Sequence, residues 1–186
     1  MLRADGDAQA LEQQVAAQAC RTAFAPLVVA YEAPLSRYMC RLVGDPELAR
    51  DLVQDTFLSA YRAWPPADQS HVSAWLYRIA TNHALAYLRR RRLLAWFPFS
   101  RLAERLRTPS ADGLVEDVVE RASVAAALAR LDERDRACLL LRAAGFSGEE
   151  LAGLLGCSAV AARKRISRAR AACARLYDGE EATCDE

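Results

Sequence analysis

The sequence predicts an all-α protein: two small helical domains joined by a linker, the second containing a helix-turn-helix. Two observations predict this. Residues 146–177 read as helix, tight turn, helix, and the second of these helices is strongly basic. Residues 24–92 carry apolar side chains at helical spacings of three and four, cut by Gly44-Asp45-Pro46 and Pro65-Pro66. The expected division is an N-terminal extension over 1–23, a first domain over 24–94, a linker over 95–115, a second domain over 116–177 and an acidic tail over 178–186.

The extension is rich in Ala and Gln and is expected to be helical around Leu11 and Val15. Phe24, Leu27, Val28, Tyr31, Leu35 and Tyr38 then mark a helix, expected to be interrupted or kinked near Pro34. Gly44-Asp45-Pro46 breaks the chain and restarts it, with Asp45 as N-cap and Pro46 in the first turn. The helix from Pro46 to about Trp64 turns Leu48, Leu52, Val53, Phe57 and Tyr61 to a core. Asp51, Gln54 and Asp55 share a different face; by periodicity alone that is a solvated surface.

After a polar loop, Ala67 to Val72, comes SAWLYRIATNHALAYLRRRR, a helix carrying Trp75, Tyr77, Arg78, Asn82 and Tyr87. It ends in Arg89, Arg90, Arg91 and Arg92, and no acid occurs between Gln69 and Ala103. Aromatic rings beside cations suit single-stranded nucleic acid, where bases stack for roughly 1–3 kcal/mol each and Arg follows the backbone. The competing reading places Trp75 in a core and the Arg run at a helix C-terminus, where the dipole favours cations. The linker holds Trp96, Phe97 and Phe99 and a Thr108-Pro109-Ser110 break, and is expected to be partly ordered.

In the second domain, Ser147 and Glu150 have capping-box spacing, and Leu151, Leu154 and Leu155 form an apolar face. Gly156 stands where a helix can end with positive φ, and Ser158 can cap the next helix. That helix carries Arg163, Lys164, Arg165, Arg168, Arg170 and Arg175, with no acid from Cys157 to Tyr177. Ala162, Ile166, Ala169, Cys173 and Leu176 form its inward stripe. A short glycine turn between two helices, the second basic, is the plan by which a helix enters a major groove.

Composition narrows the function further. Hydrophobic residues make up 53% of the chain, which excludes wholesale disorder, and the net charge of +1 excludes a uniformly basic coat. No stretch is long and apolar enough to span a bilayer, and no signal peptide is visible, so the cytoplasm is the expected location. The six cysteines form no C-x-x-C pair and read mostly as small buried hydrophobes, with Cys184 the most exposed. No phosphate loop, nucleophile–His–acid set or metal-ligand spacing occurs. Neither an enzyme nor a cofactor nor a metal is expected.

Three segments now carry a resemblance: YEAPLSRYMCRLVGDPELARDLVQDTFLSAYRAW, WLYRIATNHALAYLRRRR, and LARLDERDRACLLLRAAGFSGEELAGLLGCSAVAARKRISRARAACARL. In order and spacing they resemble the extracytoplasmic-function (ECF) sigma factors of bacterial RNA polymerase, over about 24–94 and 116–177. The resemblance implies a sigma region 2 domain that binds the clamp helices of the largest core polymerase subunit through Asp51, Gln54 and Asp55. It implies that Trp75, Asn82, Arg78, Arg89 and Arg90 meet the minus-ten element, with a base of the melted non-template strand flipped out beside Trp75 and Asn82. It implies a sigma region 4 domain whose basic helix reads duplex DNA at the minus-thirty-five element through Ser158, Arg163, Lys164, Arg165 and Arg168, and an anti-sigma factor as a further partner.

Three positions depart from the family pattern. Ala86 stands where an acid is frequent, Val160-Ala161-Ala162 where Gly-Thr-Val is frequent, and Asp132 where Pro is frequent. Losing a hydroxyl at Ala161 removes a possible DNA contact, so the promoter sequence does not transfer; Asp132 can still cap a helix. A helix-turn-helix regulator acting without polymerase is the alternative reading, and an all-α interaction module with an acidic partner is a third. Only the first reading uses both the Asp51 face and the Asn82 helix.

Overall fold

A computed structural model of the chain describes residues 4–65, 69–95 and 115–179. These form seven α-helices: α1 (Ala4–Val43), α2 (Pro46–Arg62), α3 (Val72–Ala95), α4 (Val115–Arg130), α5 (Glu133–Ala143), α6 (Gly148–Leu155) and α7 (Ala159–Tyr177). A single 3-10 turn, Gln69–His71, leads into α3. There is no strand among the described residues. Most of the linker, the tip of the loop before α3 and the acidic tail beyond Gly179 lie outside the described residues, as does the side chain of Cys20.

The helix ends follow local chemistry. Asp45 Oδ1 accepts from the amides of Glu47 and Leu48 at 3.0 and 3.2 Å, and so starts α2. Asp132 caps α5 by accepting from the Arg134 amide. Ser147 and Glu150 make both bonds of a capping box on α6. Gly156 ends α6 at φ 64°, ψ 42°, a left-handed conformation that costs a side-chain-bearing residue roughly 1 kcal/mol or more. Ser158 then caps α7 through the Ala161 amide.

α1 corrects one part of an expectation: the helix is not interrupted near Pro34. It runs unbroken through Pro26 and Pro34, from the extension into the first domain. A proline inside a helix removes one amide donor and costs about 3 kcal/mol. Leu35, Tyr38, Met39 and Leu42, all buried on the following turns, offset this: each buried side chain of that size is worth about 1.5–3 kcal/mol.

α1, α2 and α3 pack on one another, and α4, α5 and α6 gather around α7. Ala162 and Ala169, both fully buried, let α7 lie close against its neighbours. The two groups also touch: α3 packs on α5 and α6, and α1 on α5. A single apolar cluster therefore runs from Phe24 and Leu35 through Leu76 and Tyr77 to Phe146, Leu151 and Leu154.

Candidate functional site

Asp51, Gln54 and Asp55 all lie exposed on α2, while Leu52, Val53 and Thr56 between them are buried. None of the three polar side chains hydrogen-bonds or pairs with another described residue. Leu58, one turn on, is 52% exposed on the same side of the helix. The polar face of α2 thus stands unpartnered with an apolar residue at its end.

On α3, Trp75, Arg78, Asn82 and Arg89 follow at steps of three, four and seven, which places them along one stripe. Arg78, Asn82, Arg89 and Arg90 are exposed. Trp75 is half-buried, its ring centroid 6.2 Å from that of Trp64 at the end of α2, so it is partly a packing residue. The helix is locked in rotation just beside Asn82. Thr81 is fully buried; its hydroxyl donates to the Tyr77 carbonyl at 2.7 Å and bonds the Tyr38 hydroxyl at 2.8 Å. Burial holds the Tyr38 phenol well above its usual pKa, so it stays a neutral donor. Ser59 and His83 add a bond between α2 and α3 at 3.1 Å.

On α7, Arg163, Lys164 and Arg168 are exposed in the first turns. Ser158 is exposed, with its hydroxyl engaged as the cap of α7. Arg165 differs from its neighbours. Its Nη1 lies 2.6 Å from Asp135 Oδ1 on α5, and the side chain is about a quarter exposed. It braces α7 against α5 rather than standing free.

One arrangement was not expected. Asn82, Leu85, Ala86 and Arg89 of α3 line a cleft of about 320 Å³ with Arg134, Leu154, Leu155, Gly156, Cys157 and Arg165. The helix-turn-helix turn therefore faces the Asn82 stripe. Phe146 meets Tyr77 edge-on with ring centroids 5.0 Å apart, and Arg136 reaches across to α1. Phe146 had a local signal: it precedes the Ser147 cap, where an apolar residue commonly packs back on its own helix. Nothing in the sequence marks its contact with α3.

Among the described residues no group of His, Cys, Asp and Glu is placed to hold a metal, and no helix is long and apolar enough to cross a membrane. Cys40, Cys138, Cys157 and Cys173 are free thiols, Cys138 buried and the others half-buried.

The family model described as Sigma-70 region 2 matches residues 27–93, and that described as Sigma-70, region 4 matches residues 121–173. The chain belongs to the extracytoplasmic-function sigma factors of RNA polymerase. It is 34% identical to RNA polymerase sigma factor CnrH of Cupriavidus metallidurans, over 94% of this chain and 96% of that protein. Among solved structures it is similar to CnrH in complex with the cytosolic domain of CnrY, with a TM-score of 0.61 and 30% identity over 89% of this chain and 96% of that one. It is also similar to the sigma factor RpoE in complex with the anti-sigma factor NepR from Bartonella quintana, with a TM-score of 0.69 and 25% identity over 85% of this chain and 98% of that one. An ECF sigma factor is a promoter-recognition subunit of RNA polymerase and not an enzyme.

Proposed function

We propose that this sigma factor divides its work among three faces. The exposed Asp51, Gln54 and Asp55 face of α2 docks on the clamp helices of core polymerase. The stripe of Arg78, Asn82 and Arg89, with Trp75 at its start and Arg90 beside it, handles the melted minus-ten strand. Arg163, Lys164 and Arg168 on α7 approach duplex DNA at the minus-thirty-five element, with Arg165 and Ser158 holding the helix in place. The observation that carries this reading is the α3 stripe: an exposed amide and cations follow an aromatic residue along one face of a helix without any acid.

The chemistry suits each task. The carboxylates and amide of α2 are acceptors for a basic partner, and their side chains need break no internal bond to engage it. Asn82 offers two donors and one acceptor for a base edge. The cations of α7 can neutralise phosphates and reach base edges from the first turns of a recognition helix. Both similar structures hold a sigma factor with a second protein, in one case named as an anti-sigma factor. This supports an anti-sigma factor as regulatory partner, and a cytoplasmic location alongside the polymerase.

Asn82→Ala tests the reading. Losing hydrogen bonds to a flipped base should cost about 1–3 kcal/mol. Closed-complex binding should hold while permanganate reactivity across the minus-ten strand drops. Equal reactivity in variant and parent removes Asn82 from strand opening.

A further inference from the structure

We propose that Val160 on α7 is a specificity-determining residue, which reads the C5-methyl group of a thymine in the minus-thirty-five element. The inference rests on the assignment of α7 to the major groove of that element.

Val160 is the second residue of α7 and is 56% exposed. The rotation of the helix is fixed by its neighbours. Ala162 and Ala169 are fully buried, and the contact of 2.6 Å from Arg165 Nη1 to Asp135 Oδ1 ties the helix to α5. Val160 lies two residues before Ala162, about 200° away around the helix, so it points outward. Lys164, Ser167 and Ala171 follow it on the same stripe, and all three are exposed. Among the exposed residues of α7, Val160 is the only aliphatic one larger than alanine. It takes no part in the apolar core, and alanine would favour the helix more. The fold itself therefore has no use for a valine at this position.

The first turn of a recognition helix is the part that approaches base edges. Ser158 Oγ accepts from the Ala161 amide at 3.2 Å and holds that turn in shape. Ala159 and Ala161 flank Val160, so no longer side chain beside it keeps the backbone off the floor of the groove. A short side chain can then touch a base. In the major groove the purines present N7 with an oxygen or an amino group, and cytosine presents its amino group. Thymine alone adds an aliphatic group, the C5-methyl. A valine pressed on a purine edge or on the cytosine amino group strips water from polar atoms and returns no hydrogen bond. Against the thymine methyl it buries apolar surface on both sides. One side chain thus selects thymine and disfavours the other bases. Arg163 and Lys164, one turn further on, supply the cations for phosphates and polar base edges.

The test uses holoenzyme assembled from core polymerase and the full chain, on a promoter selected with the parent chain. Each thymine of its minus-thirty-five element, on either strand, is replaced in turn by deoxyuridine, which removes the methyl group and keeps the base pairing. Binding by the parent should weaken about three- to fivefold at one thymine. Val160→Ala should lose about the same factor on the unmodified promoter. It should be indifferent to deoxyuridine at that one position and respond like the parent elsewhere. Val160→Ile keeps a branched aliphatic group and should keep the sensitivity. Because Val160 is exposed and alanine favours a helix, Val160→Ala should melt no lower than the parent. A parent indifferent to deoxyuridine at every position, a selected element without thymine, or a Val160→Ala chain with the parent's full response overturns the methyl contact. Arg163→Ala and Lys164→Ala, measured beside it, separate this failure from failure of the underlying reading. If neither alters preference at any position of the element, α7 does not read it, and the methyl contact falls too. If either does, the assignment of α7 stands whatever Val160→Ala shows.

Discussion

Replacing Thr81 by Val tests how α3 is held at the residue beside Asn82. Thr81 gives its proton to the Tyr77 carbonyl, so the Tyr38 hydroxyl must be the donor in the 2.8 Å bond between them. Val has nearly the shape of Thr but accepts no hydrogen bond. The Tyr38 hydroxyl, in a side chain only 5% exposed, is then left without a partner. A buried unsatisfied donor costs about 1–3 kcal/mol. At about 2–4 °C per kcal/mol for a chain of this size, Thr81→Val should lower the melting temperature by roughly 2–12 °C. Tyr38→Phe leaves the Thr81 hydroxyl bonded to the Tyr77 carbonyl and should cost only about 1 kcal/mol. With both changes no donor is stranded, so Tyr38→Phe/Thr81→Val should be more stable than Thr81→Val alone. Thermal melts followed by circular dichroism measure all three. A double variant as unstable as Thr81→Val, or a Tyr38→Phe costlier than Thr81→Val, refutes the reasoning.

Two further outcomes follow from the same structure. Arg163→Ala or Lys164→Ala should relax minus-thirty-five preference by about 1–3 kcal/mol, whereas Arg175→Ala at the far end of α7 should alter only salt-dependent affinity; holoenzyme binding to matched and mismatched promoters over a salt series reads both. Burial pushes the Cys138 thiol up to about 11; because the folded value is the raised one, its contribution is complete below the ordinary thiol range and is lost as pH climbs towards 11, so denaturant titrations should show a shallower alkaline decline in Cys138→Ala than in the parent.

The features legible in the sequence are those set within a few residues. Asp45, Asp132, Ser147 with Glu150, Gly156 and Ser158 each act on amides or dihedrals no more than three positions away, and all do so as their residue types require. The exposed face of α2 and the stripe of α3 follow from helical periodicity alone. What was not legible depends on partners far along the chain. Arg165 reads as one more free cation of α7, yet its ion pair is with Asp135, thirty residues earlier. Arg136 looks like any helix-surface arginine until α1 and α4 bring their carbonyls to it. The continuity of α1 through Pro34 was hidden for a related reason: burial contributed by α2 and α3 outweighs a local penalty. Trp75 stays divided between packing and recognition, because Trp64 covers only part of it.

The measurement that bears most directly on the account is initiation by purified core polymerase on a promoter library, with and without this chain. The account predicts transcripts from promoters sharing two spaced elements when the chain is present. It predicts loss of those transcripts with Asp51→Arg/Asp55→Arg, whose like charges against a basic partner cost several kcal/mol of core binding, while the melting temperature of the variant is unchanged. A chain that binds duplex DNA alone and directs no initiation, or a double variant that initiates as well as the parent, contradicts it.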